Sequence, residues 1–221
     1  MAGVFITIEG VEGSGKSTQI QRLDAHLQRL GLPAVFSKEP GGTALGRELR
    51  SLLLSPHGSG ETWCPDAELL LFYADRAQHV ATLIRPALRA GKIVVVDRFE
   101  DSTRAYQGAS GVPDQALSQL RSLVLGEFRP NLTLVLDMDP VASLQRVNAR
   151  NTALGEGFTE TRFDGEALAF HQRVRARFQA IAQQEPDRVK LVPAEADADR
   201  VEAALWAQLR PCLQTAEFQV D

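Results

Sequence analysis

Two short runs constrain this chain more than anything else in it: Ile93-Val94-Val95-Val96 and Leu132-Thr133-Leu134-Val135-Leu136. Neither alternates apolar with polar residues, so neither fits a sheet with one wet face; both read as central strands buried on two sides, the pattern of a parallel sheet covered by helices. Three further runs, Val4 to Glu9, Pro33 to Ser37 and Val189 to Val192, complete a set of five. Between them lie helical patterns at about Lys16 to Leu30, Ala44 to Leu54, Asp66 to Ala90, Pro113 to Gly126, Pro140 to Ala149, Asp164 to Gln184 and Ala198 to Leu213. Strand and helix alternating from end to end predict an α/β three-layer sandwich: a five-stranded parallel sheet with helices on both faces. Gly31 and Gly91 follow helices at left-handed C-cap positions, Pro140 suits a first helical turn, and Asp139 is placed to cap it.

At 221 residues the chain suits one domain over 1–221 with one site. Two stretches lack periodicity: Ser55 to Thr62, and Asn151 to Thr161, which Arg150 and Arg162 bracket. The formal charge of −4 supplies no overall field for nucleic acid or an anionic membrane, so a polyanion has to be held by a local site. Two cysteines far apart, Cys64 and Cys212, with no basic-then-apolar leader and no long apolar run, point to a cytoplasmic protein outside the membrane.

That local site follows the first strand. Gly10-Val11-Glu12-Gly13-Ser14-Gly15-Lys16-Ser17 is a complete G-x-x-x-x-G-K-[ST], with a strand before it and a helix after it, as the motif requires. Glycines let backbone N–H groups turn inward around phosphate oxygens, the helix adds the positive end of its dipole, Lys16 neutralises β/γ charge, and the Ser17 hydroxyl can ligate Mg²⁺. A dinucleotide fold is disfavoured because Thr18 stands where the third glycine of G-x-G-x-x-G would fall. Gly10 to Thr18 is therefore expected to bind a nucleoside triphosphate. A GTP switch would carry D-x-x-G and N-K-x-D, and neither occurs. The remaining reading is a small-molecule kinase.

For the acceptor, the third strand ends in Asp97-Arg98, putting a carboxylate and a guanidinium at the edge where open α/β sheets bind ligands. Arg98 offers a fork for phosphate; Asp97 can hold water on a metal or orient that arginine. In Ser102-Thr103-Arg104-Ala105-Tyr106-Gln107-Gly108, a helix would gather Ser102, Thr103, Tyr106 and Gln107 on one face, suited either to a base edge and sugar or to solvent.

These motifs, with Glu39-Pro40-Gly41-Gly42-Thr43 and Phe72-Tyr73-Ala74-Asp75-Arg76, resemble the bacterial thymidylate kinases along essentially the whole chain. The resemblance implies ATP and dTMP as substrates and a homodimer packed through helices such as Asp66 to Ala90; Ser17 and Asp97 are the candidate residues for Mg²⁺. It implies that Phe72 stacks on thymine, that Arg76 donates to the base carbonyl, that Thr103 and Gln107 meet the base edge, and that Tyr106 lies under the sugar. It places Glu39, Pro40 and Ser102 in the acceptor site, Arg50 and Arg98 on the acceptor phosphate, and Glu12 near the sugar 3′-hydroxyl. Gly13 stands where some members carry an arginine, which resembles the branch whose catalytic arginine comes from a mobile lid, here about 150–163, with Arg150 first and Arg162 second. Cations matter because phosphoryl transfer passes through a loose, charged transition state. The Glu39-Pro40 bond is cis in such relatives, and Lys38 stands where they usually have arginine.

Overall fold

Each central strand sends alternate residues to opposite faces, and both faces are filled. Val4, Ile6 and Ile8 of β1 (Val4–Gly10), Ile93 and Val95 of β3 (Ile93–Asp97) and the leucines of β4 (Leu132–Asp137) pack on one side. There they meet Leu23 and Leu27 of α1 (Lys16–Arg29) and Val201, Leu205, Leu209 and Leu213 of α9 (Ala198–Thr215). Phe5, Val94 and Val96 face the other way, onto Val80, Ile84, Phe99 and Leu125. The computed structural model describes residues 3–55, 60–154 and 166–220. Burying one such side chain contributes about 1.5–3 kcal/mol, so these two apolar layers dominate the stability.

β2 (Ala34–Lys38) and β5 (Val189–Pro193) close the sheet edges, in the order β2-β3-β1-β4-β5, with every pairing parallel. The expected five-stranded parallel sheet is present. Its register aligns Lys38 with Asp97 and Asp97 with Ile8, so the carboxyl ends share one edge. The chain runs from β1 outward to β2 and back to β3, then crosses to β4 on the other side of β1. A crevice therefore opens beyond β1, at the switch in strand order.

The second helical layer consists of α3 (Pro65–His79), α5 (Glu100–Ala109), α6 (Asp114–Leu125) and α8 (Leu168–Gln184). α2 (Ala44–Leu54) packs on α3, and α7 (Pro140–Leu154) on α8. Gly31 and Gly91 are left-handed as expected (φ 66° and 72°), and Asp139 Oδ1 accepts from Val141 N at 2.9 Å.

Three expectations need correction. The helix anticipated over Asp66 to Ala90 is interrupted by a π-helical segment, Val80–Ile84, before α4 (Arg85–Arg89). Arg85 N donates to Val80 O, five residues back, and this wider turn comes immediately before Pro86, which has no N–H of its own to give the ladder. Residues 151–154 are not aperiodic but continue α7, and α8 begins at Leu168 rather than at Asp164. The remainder of the anticipated lid, Arg162 included, lies outside the described residues.

Candidate active site

The loop after β1 is tied to its surroundings on all sides. Gly10, Gly13 and Gly15 have φ of 139°, 74° and 94°. At Gly13 a left-handed backbone coincides with lack of space: a Cβ there would lie 2.5 Å from Ser143 O and 3.0 Å from Val147 Cγ2, both on α7. The Ser143 hydroxyl donates to the carbonyl of Glu12 from the same helix. This close approach between loop and helix shuts out any side chain at position 13, arginine above all, and brings α7 with Arg146 and Arg150 to the rim.

Lys16 is folded back on the loop, donating to Gly10 O at 3.1 Å and Val11 O at 2.9 Å. Burial, then the neighbouring Arg98 guanidinium, pull its ammonium down to about 8, against Asp97, Glu12 and Glu9. Glu12 is the opposite case. Burial disfavours its charge, but Arg98 and Lys16 outweigh that and hold the carboxyl below its ordinary range. Its Oε1 accepts from Arg98 at 2.8 Å and its Oε2 from the Tyr106 hydroxyl at 2.5 Å.

Arg98 is a non-glycine residue at φ 66°, an uncommon backbone conformation that turns it back over the loop. Its guanidinium also donates to Gly10 O (3.0 Å) and Ser102 Oγ (3.2 Å) and stands 4.9 Å from the centre of the Tyr106 ring. Glu12 thus orients Arg98; no hydrogen bond joins it to Asp97. Asp97 instead keeps Oδ1 buried without a partner, next to a cationic loop. Beneath them the Glu9 carboxylate accepts from Ser102 Oγ and from Phe99 N (2.8 Å); burial and Asp101 push its pKa up to about 7.

The far end of the crevice is built from α3 and α5. Arg76, 1% exposed, donates through Nε to Glu39 (2.8 Å) and through NH2 to Phe99 O (3.0 Å) and Thr103 Oγ1 (2.9 Å). Its remaining NH1 is buried and unpaired. Glu39 also pairs with His79 at 2.9 Å, and its bond to Pro40 is cis. Ser102, Thr103, Tyr106 and Gln107 do share one face of α5, and all four are buried, so the solvated alternative fails. Gln107 donates to Glu68 at 2.8 Å, and Arg50 donates to Pro40 O at 3.0 Å.

One cleft of about 520 Å³ joins these parts. It is lined by Glu12, Gly13, Gly15, Lys16, Ser17 and Thr18 of the loop and by every acceptor-side residue expected from the sequence, half-buried Phe72 and Arg150 among them. Gly10, Val11 and Ser14 lie in the loop but do not line the cleft. Seven cationic side chains and three carboxylates face it, so a strongly positive site sits in a chain of net charge −4. Among the described residues no group of three or more His, Cys, Asp or Glu could hold a metal alone. The donor set fits Mg²⁺, which is bound through one or two protein oxygens with water and phosphate: the exposed Ser17 hydroxyl and the unpartnered Asp97 oxygen are available.

Sequence reasoning missed Ser143, Asp75 and the buried histidines. Asp75 takes Gly41 N at 3.1 Å, and burial, then Glu39, push its carboxyl up to about 6. His79 and His171 carry no local signal, since a histidine in a helical pattern is also an ordinary core residue.

A glycine-rich phosphate loop between β1 and α1, opening at the sheet's switch point onto a second polar pocket, defines a P-loop phosphotransferase of small molecules. A family model described as thymidylate kinase matches residues 8–205. The chain is 48% identical to thymidylate kinase of Solidesulfovibrio magneticus, covering 92% of this chain and 97% of that protein, and 48% identical to that of Syntrophotalea carbinolica, covering 91% and 93%. Its fold is similar to the crystal structure of thymidylate kinase from Ehrlichia chaffeensis, with TM-score 0.74 and 31% identity over 95% of this chain and 99% of that one. The chain belongs to the thymidylate kinase family, and is accordingly a nucleoside monophosphate kinase, a transferase.

Proposed function

We propose that this protein transfers the γ-phosphate of ATP to dTMP, giving dTDP and ADP. The observation that carries the reading is the single cleft in which Lys16 and the loop amides adjoin Arg98 and Arg50, and these adjoin an aromatic and hydrogen-bonding wall. An oxygen of the acceptor phosphate attacks the γ-phosphorus, the bond to the β,γ-bridging oxygen breaks, and its electron pair leaves with ADP. The acceptor oxygen is already ionised, so no general base is needed. The work is alignment and charge compensation.

Lys16 and the amides of Gly13 to Thr18 hold the donor's phosphates; Arg98 and Arg50 hold the acceptor's; Arg150, from α7, supplies positive charge between them, and Arg162 is the second choice for that role. When Mg²⁺ is bound, held by Ser17 and Asp97, it neutralises charge on the donor phosphates. Phe72 gives the base a π-face, the free NH1 of Arg76 donates to a base carbonyl, Thr103 and Gln107 take the base edge, and Tyr106 crowds the sugar's 2′ position. Glu39 and Pro40 brace Arg76 and Arg50. The whole chain acts as one kinase domain with a lid about 150–163. It works in the cytoplasm and pairs with a second copy through α3 and its neighbour α6, where Leu70 and Leu123 are 56% and 80% exposed. Among the described residues no helix is long and apolar enough to cross a membrane.

A kinetic panel of thymidine, dTMP, dUMP, dCMP and ribo-TMP with ATP tests the reading. The highest kcat/KM is expected for dTMP; dominant turnover of unphosphorylated thymidine, or no transfer to any acceptor, would overturn it.

A further inference from the structure

α8 turns Phe170, Val174, Phe178 and Ile181 into one apolar cluster with Val11 and Tyr106. One polar residue sits on that buried side of the helix: His171, with no exposure. Neither of its ring nitrogens has a hydrogen-bond partner. A leucine of similar size would fill this space without two unsatisfied polar atoms, so the imidazole costs stability where it stands, and such a group calls for a functional reason.

The reason is in view. His171 Nδ1 lies 3.9 Å from Glu12 Oε2, about an ångström beyond hydrogen-bond length. That oxygen already accepts from Tyr106, and Oε1 accepts from Arg98. A carboxylate offers about four lone pairs in all.

We propose that His171 is a positioning residue of the acceptor site: with dTMP in the cleft, its Nδ1–H closes on Glu12 Oε2. The carboxylate is then fixed by three donors, Arg98, Tyr106 and His171. Oε2 is then held by Tyr106 and His171, and Oε1, held by Arg98, is the oxygen left to meet a donor on the acceptor. The only hydroxyl of dTMP is the 3′, so His171 acts through Glu12 on discrimination between dTMP and a nucleotide lacking that hydroxyl. The inference rests on the acceptor reading given above.

His171→Leu and His171→Asn test it. The amide nitrogen of asparagine takes the place of Nδ1, whereas leucine has no donor. Measured are kcat and KM for dTMP, the KM for ATP, the preference for dTMP over 3′-deoxy-dTMP, and the Tm. Leucine is expected to raise the Tm and to raise the KM for dTMP about tenfold, the effect of one hydrogen bond to a charged group. The KM for ATP should stay within twofold, and the preference for the 3′-hydroxyl should shrink by about the factor lost in KM. Asparagine should restore the KM for dTMP to within threefold of wild type. If leucine leaves KM and preference unchanged, or if the loss falls equally on ATP and is not recovered by asparagine, His171 is packing and the inference fails. Failure of the wild-type protein to use dTMP would instead overturn the acceptor reading.

Discussion

Binding of Mg-ATP at pH 8 should draw about half a proton out of solution. Lys16 is the source of the effect: burial, then Arg98, bring its ammonium from the ordinary 10.5 to about 8, a difference worth about 3 kcal/mol between its charged and neutral forms. A triphosphate against that nitrogen restores its usual basicity, because an anion favours the charged form. At pH 8 about half of the free protein carries neutral Lys16, so nucleotide binding should take up about half a proton; at pH 7 the figure falls to about a tenth. Isothermal titration calorimetry in two buffers of different ionisation enthalpy reads this number from the difference in apparent heat. Lys16→Met separates Lys16 from Glu9, which also titrates near neutrality. Equal heats in both buffers at pH 8, or the same uptake in Lys16→Met, would mean that Lys16 gains no proton when the nucleotide binds.

Gly13→Ala and Gly31→Ala form a matched pair, since both glycines have positive φ but only the first would bring its Cβ against backbone. The open Gly31 site should lose about 1 kcal/mol and Gly13 about 2–4, with activity lost only at Gly13, as read by urea unfolding and turnover; equal losses would contradict the tight loop–α7 contact. For Glu9 the folded pKa of about 7 lies above the ordinary 4.5, so it contributes stability that is full below about pH 4.5 and lost as pH rises through about 7. Glu9→Gln should flatten that part of the stability–pH curve and raise stability at pH 8 by about 2–3 kcal/mol; a variant curve parallel to wild type would show that Glu9 is not the titrating group. Arg150→Ala should lower kcat by about 10–100-fold with the KM for dTMP within threefold, and a change confined to KM would move the transition-state cation elsewhere.

The sheet was legible because its strands speak through composition: a run such as Ile93 to Val96 has few other places to go, and the phosphate loop fixes which strand comes first. The acceptor wall was legible only in part. Ser102, Thr103, Tyr106 and Gln107 could be assigned to one helix face, but whether that face met solvent or a cleft depended on α3 and α8 packing beside it. Phe72 illustrates the same limit, since an aromatic residue in an apolar helix reads as core until the cleft beside it is known. What could not be read was contact between distant segments. The role of Asp97 was open because whether it or Glu12 grips Arg98 depends on the positive φ of Arg98, which no local pattern announces. Ser143 touches Glu12, 131 positions away, and the π-helical turn before Pro86 looks in sequence like an uninterrupted helix.

The proposed transfer requires one crevice to align two phosphorylated nucleotides, the acceptor's phosphate at Arg98 and the donor's at Lys16. A crystal structure with dTMP and a non-hydrolysable ATP analogue tests it most directly. Thymine should lie against Phe72 with a carbonyl at Arg76 NH1 and both phosphates between Lys16 and Arg98; dTMP bound away from the carboxyl edge of β1 and β3 would rule that alignment out.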